Sequence, residues 1–118
     1  MIAHVILFTP RPDVDARVRT ELADALRAAT EQIDSIRRAR IGRRVTRDRA
    51  YERAAVDNST HVVILEFDDE VGLQTYLDHP AHARLTERFF TTVGGASIYD
   101  FELEEGPSAL DALVKGSV

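Results

Sequence analysis

The chain has 118 residues, of which 44% are apolar and 30% charged, and its formal net charge is -5 at pH 7. This length fits one domain with a single core, and the composition is that of a globular protein rather than a disordered one. Cysteine is absent, which excludes disulfides, thiolate nucleophiles and cysteine-based metal or cluster sites.

The first predicted element is a strand over Ile2 to Phe8. One of its faces carries His4 and Ile6, and the other carries Val5 and Leu7. Because both faces are apolar, the strand is expected to be buried on both sides. No basic region precedes it, no small-residue cleavage site follows it, and no apolar run reaches the length of a membrane span. We therefore expect a cytoplasmic protein without a membrane partner.

An amphipathic helix is predicted next. Pro10 and Pro12 end the strand, and Asp13 is the expected N-cap. Apolar residues then recur at spacings of three and four from Val14 to Ile33. This pattern is typical of a helix that buries one face.

A second strand over residues 36–46 and a long polar connection over residues 47–59 follow. Eight arginines lie between Arg37 and Arg53, a density that also occurs in nucleic-acid-binding proteins. A single tyrosine interleaves with them, no glycine-rich phosphate loop is present, and the chain after residue 53 is strongly acidic. We therefore expect no nucleic-acid binding, and we expect these arginines to face solvent or to pair with acids.

The third predicted strand, Thr60 to Phe67, again has mostly apolar faces. His61 and Val63 lie on one face, whereas Ile64 and Glu66 lie on the other. We expect Glu66 to pair with an arginine rather than to act as a base.

Two helices are predicted after this strand. Asp68 or Asp69 caps the first, and Pro80 is a favoured first-turn residue for the second. His79, directly before that proline, is expected to cap the second helix or to fill a turn. The second helix is expected to end at Gly94, which Gly95 follows.

The last predicted strand covers Ala96 to Leu103, and Gly106-Pro107 then breaks the chain. These signals divide the chain into a domain over residues 1–104 and a C-terminal tail over residues 105–118, expected to be a short helix or mobile.

The predicted element order is β-α-β-β-α-β, which is the ferredoxin-like α+β fold with a four-stranded antiparallel sheet and both helices on one face. The other face of the sheet would leave a large apolar surface in water. We therefore predict a homodimer in which two sheets pack face to face. We also expect the faces of His4 and His61 to point into the cavity between them.

Three segments, MIAHVILF, THVVILEF and YLDHPAHARL, resemble the stress-responsive dimeric α/β-barrel proteins, known as the Dabb domain family, over residues 1–103. The resemblance implies a homodimer whose two sheets form a barrel around a hydrophobic cavity. The family includes plant stress-associated proteins and a plant polyketide cyclase that forms olivetolic acid. Its pattern places the candidate acid/base residues at His4, His61, Tyr76 and His82.

Such residues suit proton abstraction from a carbon next to a carbonyl, followed by intramolecular aldol closure without a cofactor. His82 would take the proton, Tyr76 or His4 would donate a hydrogen bond to the developing enolate oxygen, and His61 would orient or polarise the substrate. A metal site at His79 and His82 is not expected, because the pair lacks a third ligand.

Alternatives to catalysis remain open. His4 and His61 also suit hydrogen-bonded core histidines, and Tyr76 also suits a core aromatic residue. The first candidate function is a cofactor-free enzyme of the cyclase or isomerase type that acts on a hydrophobic small molecule. The second is a non-catalytic stress-associated or ligand-binding homodimer, and the third is a cofactor-free monooxygenase.

Overall fold

The computed structural model of the protein describes residues 1–115. They form a four-stranded antiparallel sheet with helices packed on one face. The strands are β1 (Ile2–Pro10), β2 (Arg38–Arg43), β3 (His61–Phe67) and β4 (Val93–Glu102). The helices are α1 (Ala16–Gln32), α2 (Ala50–Arg53), α3 (Glu70–Asp78), α4 (Pro80–Thr92) and α5 (Asp111–Lys115). The spatial order β2-β3-β1-β4 is the ferredoxin-like arrangement that the sequence predicted.

The strand register decides which side chains share a face of the sheet. On β1, His4 lies opposite Leu65 and Phe8 lies opposite His61, both on β3. Alternate residues point to the same face, so these side chains lie on one face together with Val63. This face is covered by the helices and forms the core.

The expectation that His4 and His61 point into a space between two sheets is therefore wrong. Their face packs against the helix layer of the same chain. Both faces of β1 and β3 are apolar, so alternation identified two faces but could not tell which of them the helices cover.

Capping residues explain where the helices begin. α1 starts after Asp15, not Asp13, and the Asp15 side chain accepts a hydrogen bond from the Val18 N–H at 3.0 Å. The predicted cap of α3 is confirmed at Asp69, whose side chain accepts from the Gly72 N–H at 2.9 Å. The start of α4 at Pro80 is also confirmed.

The bounds of β2 and the end of α4 also differ from the sequence prediction. β2 is shorter than residues 36–46, and the connection after it contains the short helix α2. Glu52 stabilises this helix by accepting hydrogen bonds from the backbone N–H groups of Arg47 and Arg49. These bonds lower the pKa of Glu52, and the bond from Arg49 has the largest effect. The glycines at 94 and 95 lie in β4 and do not end α4, because β4 already pairs with β1 at Val93.

Several arginines of the basic segment pair with acids, as predicted. Arg37 bonds to Asp68 at 2.8 Å, and Arg40 bonds to Glu66 at 3.2 Å. The second pair confirms the expected role of Glu66, which is buried on the sheet face opposite the helices.

That opposite face, which we term the outer face, is apolar and has no covering element among residues 1–115. It carries half-buried or exposed side chains from the three strands β1, β3 and β4. They are Val5, Leu7, Val62, Ile64, Tyr99 and Phe101. The structure thus contains the uncovered apolar surface that the sequence predicted.

Within the tail, Gly106 has a φ of 82°, which lies in the left-handed region that favours glycine. A 3-10 turn over Pro107–Leu110 and helix α5 follow. Their apolar side chains are exposed, including Leu113 at 81%. Residues 116–118 of the predicted tail lie outside the described residues. No helix within residues 1–115 is both long and apolar enough to cross a membrane.

Removing the chain after Glu105 is expected to change the stability of the domain only slightly, because the exposed tail side chains bury little apolar area. Thermal melts of the truncated and full-length chains measure the difference, and the solution mass of each reports assembly. A fall in melting temperature of more than a few degrees, or a lower mass, would show that the tail packs against the core or a second copy.

Candidate active site

A cavity of about 480 Å³ lies between the helix layer and the sheet. Most of its wall is apolar, with Ile6, Leu22, Leu26, Val63 and Phe89 among the lining side chains. All four candidate residues predicted from the sequence line this one cavity: His4, His61, Tyr76 and His82. The cavity is therefore the candidate active site, and its volume is in the range of small-molecule sites.

Three of these residues form a cluster at one end of the cavity, around Tyr76. The Tyr76 ring lies edge-on to the rings of His4 and His82, at centroid distances of 5.5 Å and 4.6 Å. Tyr76 is 1% exposed and His4 5% exposed, whereas His82 is half-buried. We term these residues the His4–Tyr76–His82 cluster.

The junction between α3 and α4 turns Tyr76 and His82 toward each other. His79 ends α3 and caps α4, because its Nδ1 accepts a hydrogen bond from the Ala81 N–H at 3.0 Å. The predicted capping role of His79 is thus confirmed. No group of three or more His, Asp or Glu residues within residues 1–115 could hold a metal ion.

Asp100 is a site residue that the sequence reasoning missed. Its Oδ1 lies 2.5 Å from the Nδ1 of His4, and the register places the two residues opposite each other on β4 and β1. A carboxylate accepts hydrogen bonds, so His4 donates through Nδ1 and keeps Nε2 for another partner. The register of β4 against β1 was the one signal that could have identified Asp100. Apolar residues alternate only roughly in β4, so the sequence predicted no reliable register.

Burial shifts the pKa values of two cluster residues in directions that suit proton transfer. Burial, and then the charge of Asp100, raises the pKa of Tyr76 to about 12. Burial lowers the pKa of His82, and the nearby His4 acts in the same direction, whereas a hydrogen bond to the Leu77 backbone opposes them. At neutral pH the site therefore holds a neutral imidazole beside a protonated phenol.

The pKa of His82 in the folded protein is expected to lie below its ordinary value of about 6.5, because burial disfavours the imidazolium. NMR titration of the imidazole signals measures it, and the His82→Gln variant identifies the signal by its loss. The unfolded chain then binds a proton at His82 at a higher pH than the folded chain does. His82 therefore lowers the free energy of unfolding as pH falls through about 6.5. A His82 pKa above 6.5 would contradict burial as the dominant cause.

His61 lines the same cavity but lies outside the cluster. Its Nδ1 is 2.7 Å from the hydroxyl of Thr60, and its ring stacks on Phe8 at 5.5 Å. Phe8 is four residues from His4 on β1, which corresponds to about 13 Å along the strand. The structure thus brings three of the four candidate residues together and places the fourth toward the other end of the cavity.

Comparisons with known proteins point to one family. The model of the family described as the stress responsive A/B barrel domain, Dabb, matches residues 2–103. A comparison with curated protein sequences gives no significant match.

Similar solved structures share the fold. A protein from Arabidopsis thaliana superposes with a TM-score of 0.74 at 18% identity, over 90% of this chain and 98% of that chain. A dimeric ferredoxin-like protein of unknown function from Thermobifida fusca gives 0.67 at 22% identity, over 86% and 90%. A hydroxynitrile lyase from Passiflora edulis gives 0.73 at 11% identity, over 89% and 94%. These identities are too low to transfer an activity.

Proposed function

The chain belongs to the stress-responsive A/B barrel domain family, and on that premise we propose that it is a cofactor-free small-molecule enzyme of the polyketide-cyclase type. The observation that carries this proposal is the convergence of His4, Tyr76 and His82 at one end of an otherwise apolar cavity. The hydroxynitrile lyase among the structural neighbours supports the view that this fold can host an enzyme.

The first step of the proposed reaction is proton abstraction from a carbon next to a carbonyl. His82 is the base, because burial keeps its imidazole neutral. The electron pair of the broken C–H bond moves onto the carbonyl oxygen. Tyr76 remains protonated and donates a hydrogen bond to the oxygen as its negative charge develops.

The second step closes a ring. The enolate carbon attacks a second carbonyl of the same substrate and forms a carbon–carbon bond, and the new alkoxide takes back the proton held by His82. His4, whose Nδ1 donates to Asp100, would accept a hydrogen bond or a proton at Nε2 beside the reacting atoms. The proton is returned within the cycle, so no cofactor is required.

The expected size of this catalysis limits the substrate class. A positioned general acid or base contributes on the order of 10² to 10⁴ in rate. That range suits a carbon flanked by two carbonyl groups, as in a polyketide chain, whose proton is already acidic. We therefore propose a 1,3-dicarbonyl substrate.

A non-catalytic ligand-binding function is the second candidate. The hydrogen bond between His4 and Asp100 gives that histidine a structural role independent of any reaction, and an apolar cavity can hold a ligand without changing it. Turnover separates the two candidates. The experiment is NMR observation of a linear 2,4,6,8-tetraketone incubated with the protein, in which an enzyme closes a six-membered ring by a new carbon–carbon bond from C3 to C8 and a binding protein does not.

We propose a homodimer as the working form. The outer face exposes Tyr99 and Phe101, and a surface of this kind on a soluble monomer usually marks a protein interface. A structural neighbour is described as dimeric, which supports the proposal. Because the cavity lies on the helix side of the sheet, pairing through the outer face leaves each site within its own chain.

A further inference from the structure

The cavity has a second polar end that the proposed chemistry does not use. It contains Arg19 and His61, both of which line the cavity. Arg19 is the one arginine in the lining, which contains no aspartate, glutamate or lysine from the described residues. A fixed positive charge therefore lies at the edge of an apolar space without a neighbouring acid in the wall.

Chain topology puts Arg19 near the Pro10 end of β1, because only residues 11–15 join that end to the start of α1. Arg19 is in the first turn of α1, and Leu22 and Leu26 follow on the same helix face, three and seven residues later. Pro10 and Phe90 also line the cavity. Pro10 is six residues beyond His4 on β1, or about 20 Å along the strand.

Three charged side chains of α1 are paired, whereas Arg19, like Arg17 and Glu31, is in no ion pair within residues 1–115. Glu21 pairs with Arg88 at 3.3 Å, and Asp24 pairs with Arg27 at 2.7 Å. Arg19 is exposed and retains its donors for a ligand. A guanidinium offers two parallel N–H donors, which match the two oxygens of a carboxylate.

We propose that Arg19 and His61 form a subsite for the carboxylate of an amphipathic acid whose apolar chain crosses the cavity toward the His4–Tyr76–His82 cluster. The Thr60 hydroxyl lies 2.7 Å from Nδ1 of His61, and in the tautomer in which it donates to Nδ1, Nε2 carries the proton that the anion accepts. The apolar wall between the two ends accommodates the chain. This inference rests on the proposed function only for the identity of the ligand's reacting end, which lies at the cluster.

The test compares two ligands with the same apolar chain, one an anion and the other its neutral methyl ester. Decanoate and its methyl ester are titrated calorimetrically against the wild type, Arg19→Gln and Arg17→Gln. Arg17 is a matched control, because it is exposed on the same helix and does not line the cavity. Arg19→Gln is expected to weaken decanoate binding about tenfold without affecting the ester, and Arg17→Gln should bind both ligands as the wild type does.

Equal binding of acid and ester by the wild type would overturn the subsite, and so would an Arg19→Gln variant that still prefers the acid. The His82→Gln variant separates this outcome from failure of the proposed function. It should retain the preference for decanoate even if it has lost turnover, because the carboxylate subsite lies at the other end of the cavity. A preference lost in His82→Gln would also overturn the placement of the subsite.

Discussion

Replacing His82 by Gln is expected to lower the turnover of a 1,3-dicarbonyl substrate by about 10² to 10⁴ while the protein stays folded. Glutamine approximates the size of the imidazole but cannot accept a proton at neutral pH. His82 is half-buried, its Nε2 lies 3.4 Å from the hydroxyl of Thr86, and its ring bonds to the Leu77 backbone, so the change removes two contacts at the edge of the core. Initial rates give the effect on activity, and chemical denaturation gives the effect on stability.

The variant His79→Asn is the matched control for this experiment. It removes a histidine three residues away that caps α4 and does not line the cavity, and asparagine also serves as an N-cap. Its activity should equal that of the wild type. Tyr76→Phe, which removes only the hydroxyl, should lower turnover because the enolate oxygen loses its donor.

The structural reading of these residues predicts the opposite pattern. If His82 and Tyr76 only hold the fold, each change should cost about 1 to 3 kcal/mol in free energy of unfolding through lost hydrogen bonds. Turnover of the dicarbonyl compound by the wild type would then be undetectable. Marked unfolding of His82→Gln, without any activity in the wild type, would favour the ligand-binding homodimer.

The second large effect is expected at the outer face. Replacing Phe101 by Asp should raise the dimer dissociation constant at least about 100-fold, because an unpaired carboxylate would be buried between two sheets. Phe101 is 52% exposed in the single chain, so the change should leave the folded monomer intact. Analytical ultracentrifugation at micromolar concentration measures the mass, and the wild type is expected to be a dimer.

Val71→Asp provides the comparison, since it introduces the same charge at an exposed apolar position on α3. That helix belongs to the layer on the other side of the sheet from the outer face, so this variant should remain dimeric. A wild-type protein that is monomeric and soluble at these concentrations would refute the homodimer. It would also leave the apolar outer face unexplained.

Periodicity and capping residues accounted for most of the local structure. Alternation identified β1 and β3, and the cap at Asp69 and the proline at the start of α4 were correctly placed. The errors lay at Asp13, which is not the cap of α1, and at Gly94, which lies within β4. Asp15, two residues further on, makes the local capping bond of α1 instead. Gly94 lies in β4 because Val93 already pairs with Pro10 of β1, a long-range contact that local patterns do not specify.

The sequence by itself determined the order of the elements, the ferredoxin-like sheet and the residue types available for acid/base chemistry, because these depend on short-range patterns. Only the tertiary structure decided that the helices cover the face of His4, that Asp100 bonds to this histidine and that His61 stands apart from the cluster. His4 and Asp100 are 96 residues apart, and their contact depends on strand register. Strand register and helix placement follow from packing of the whole core. A strand whose two faces are both apolar therefore does not reveal either of them from its own sequence.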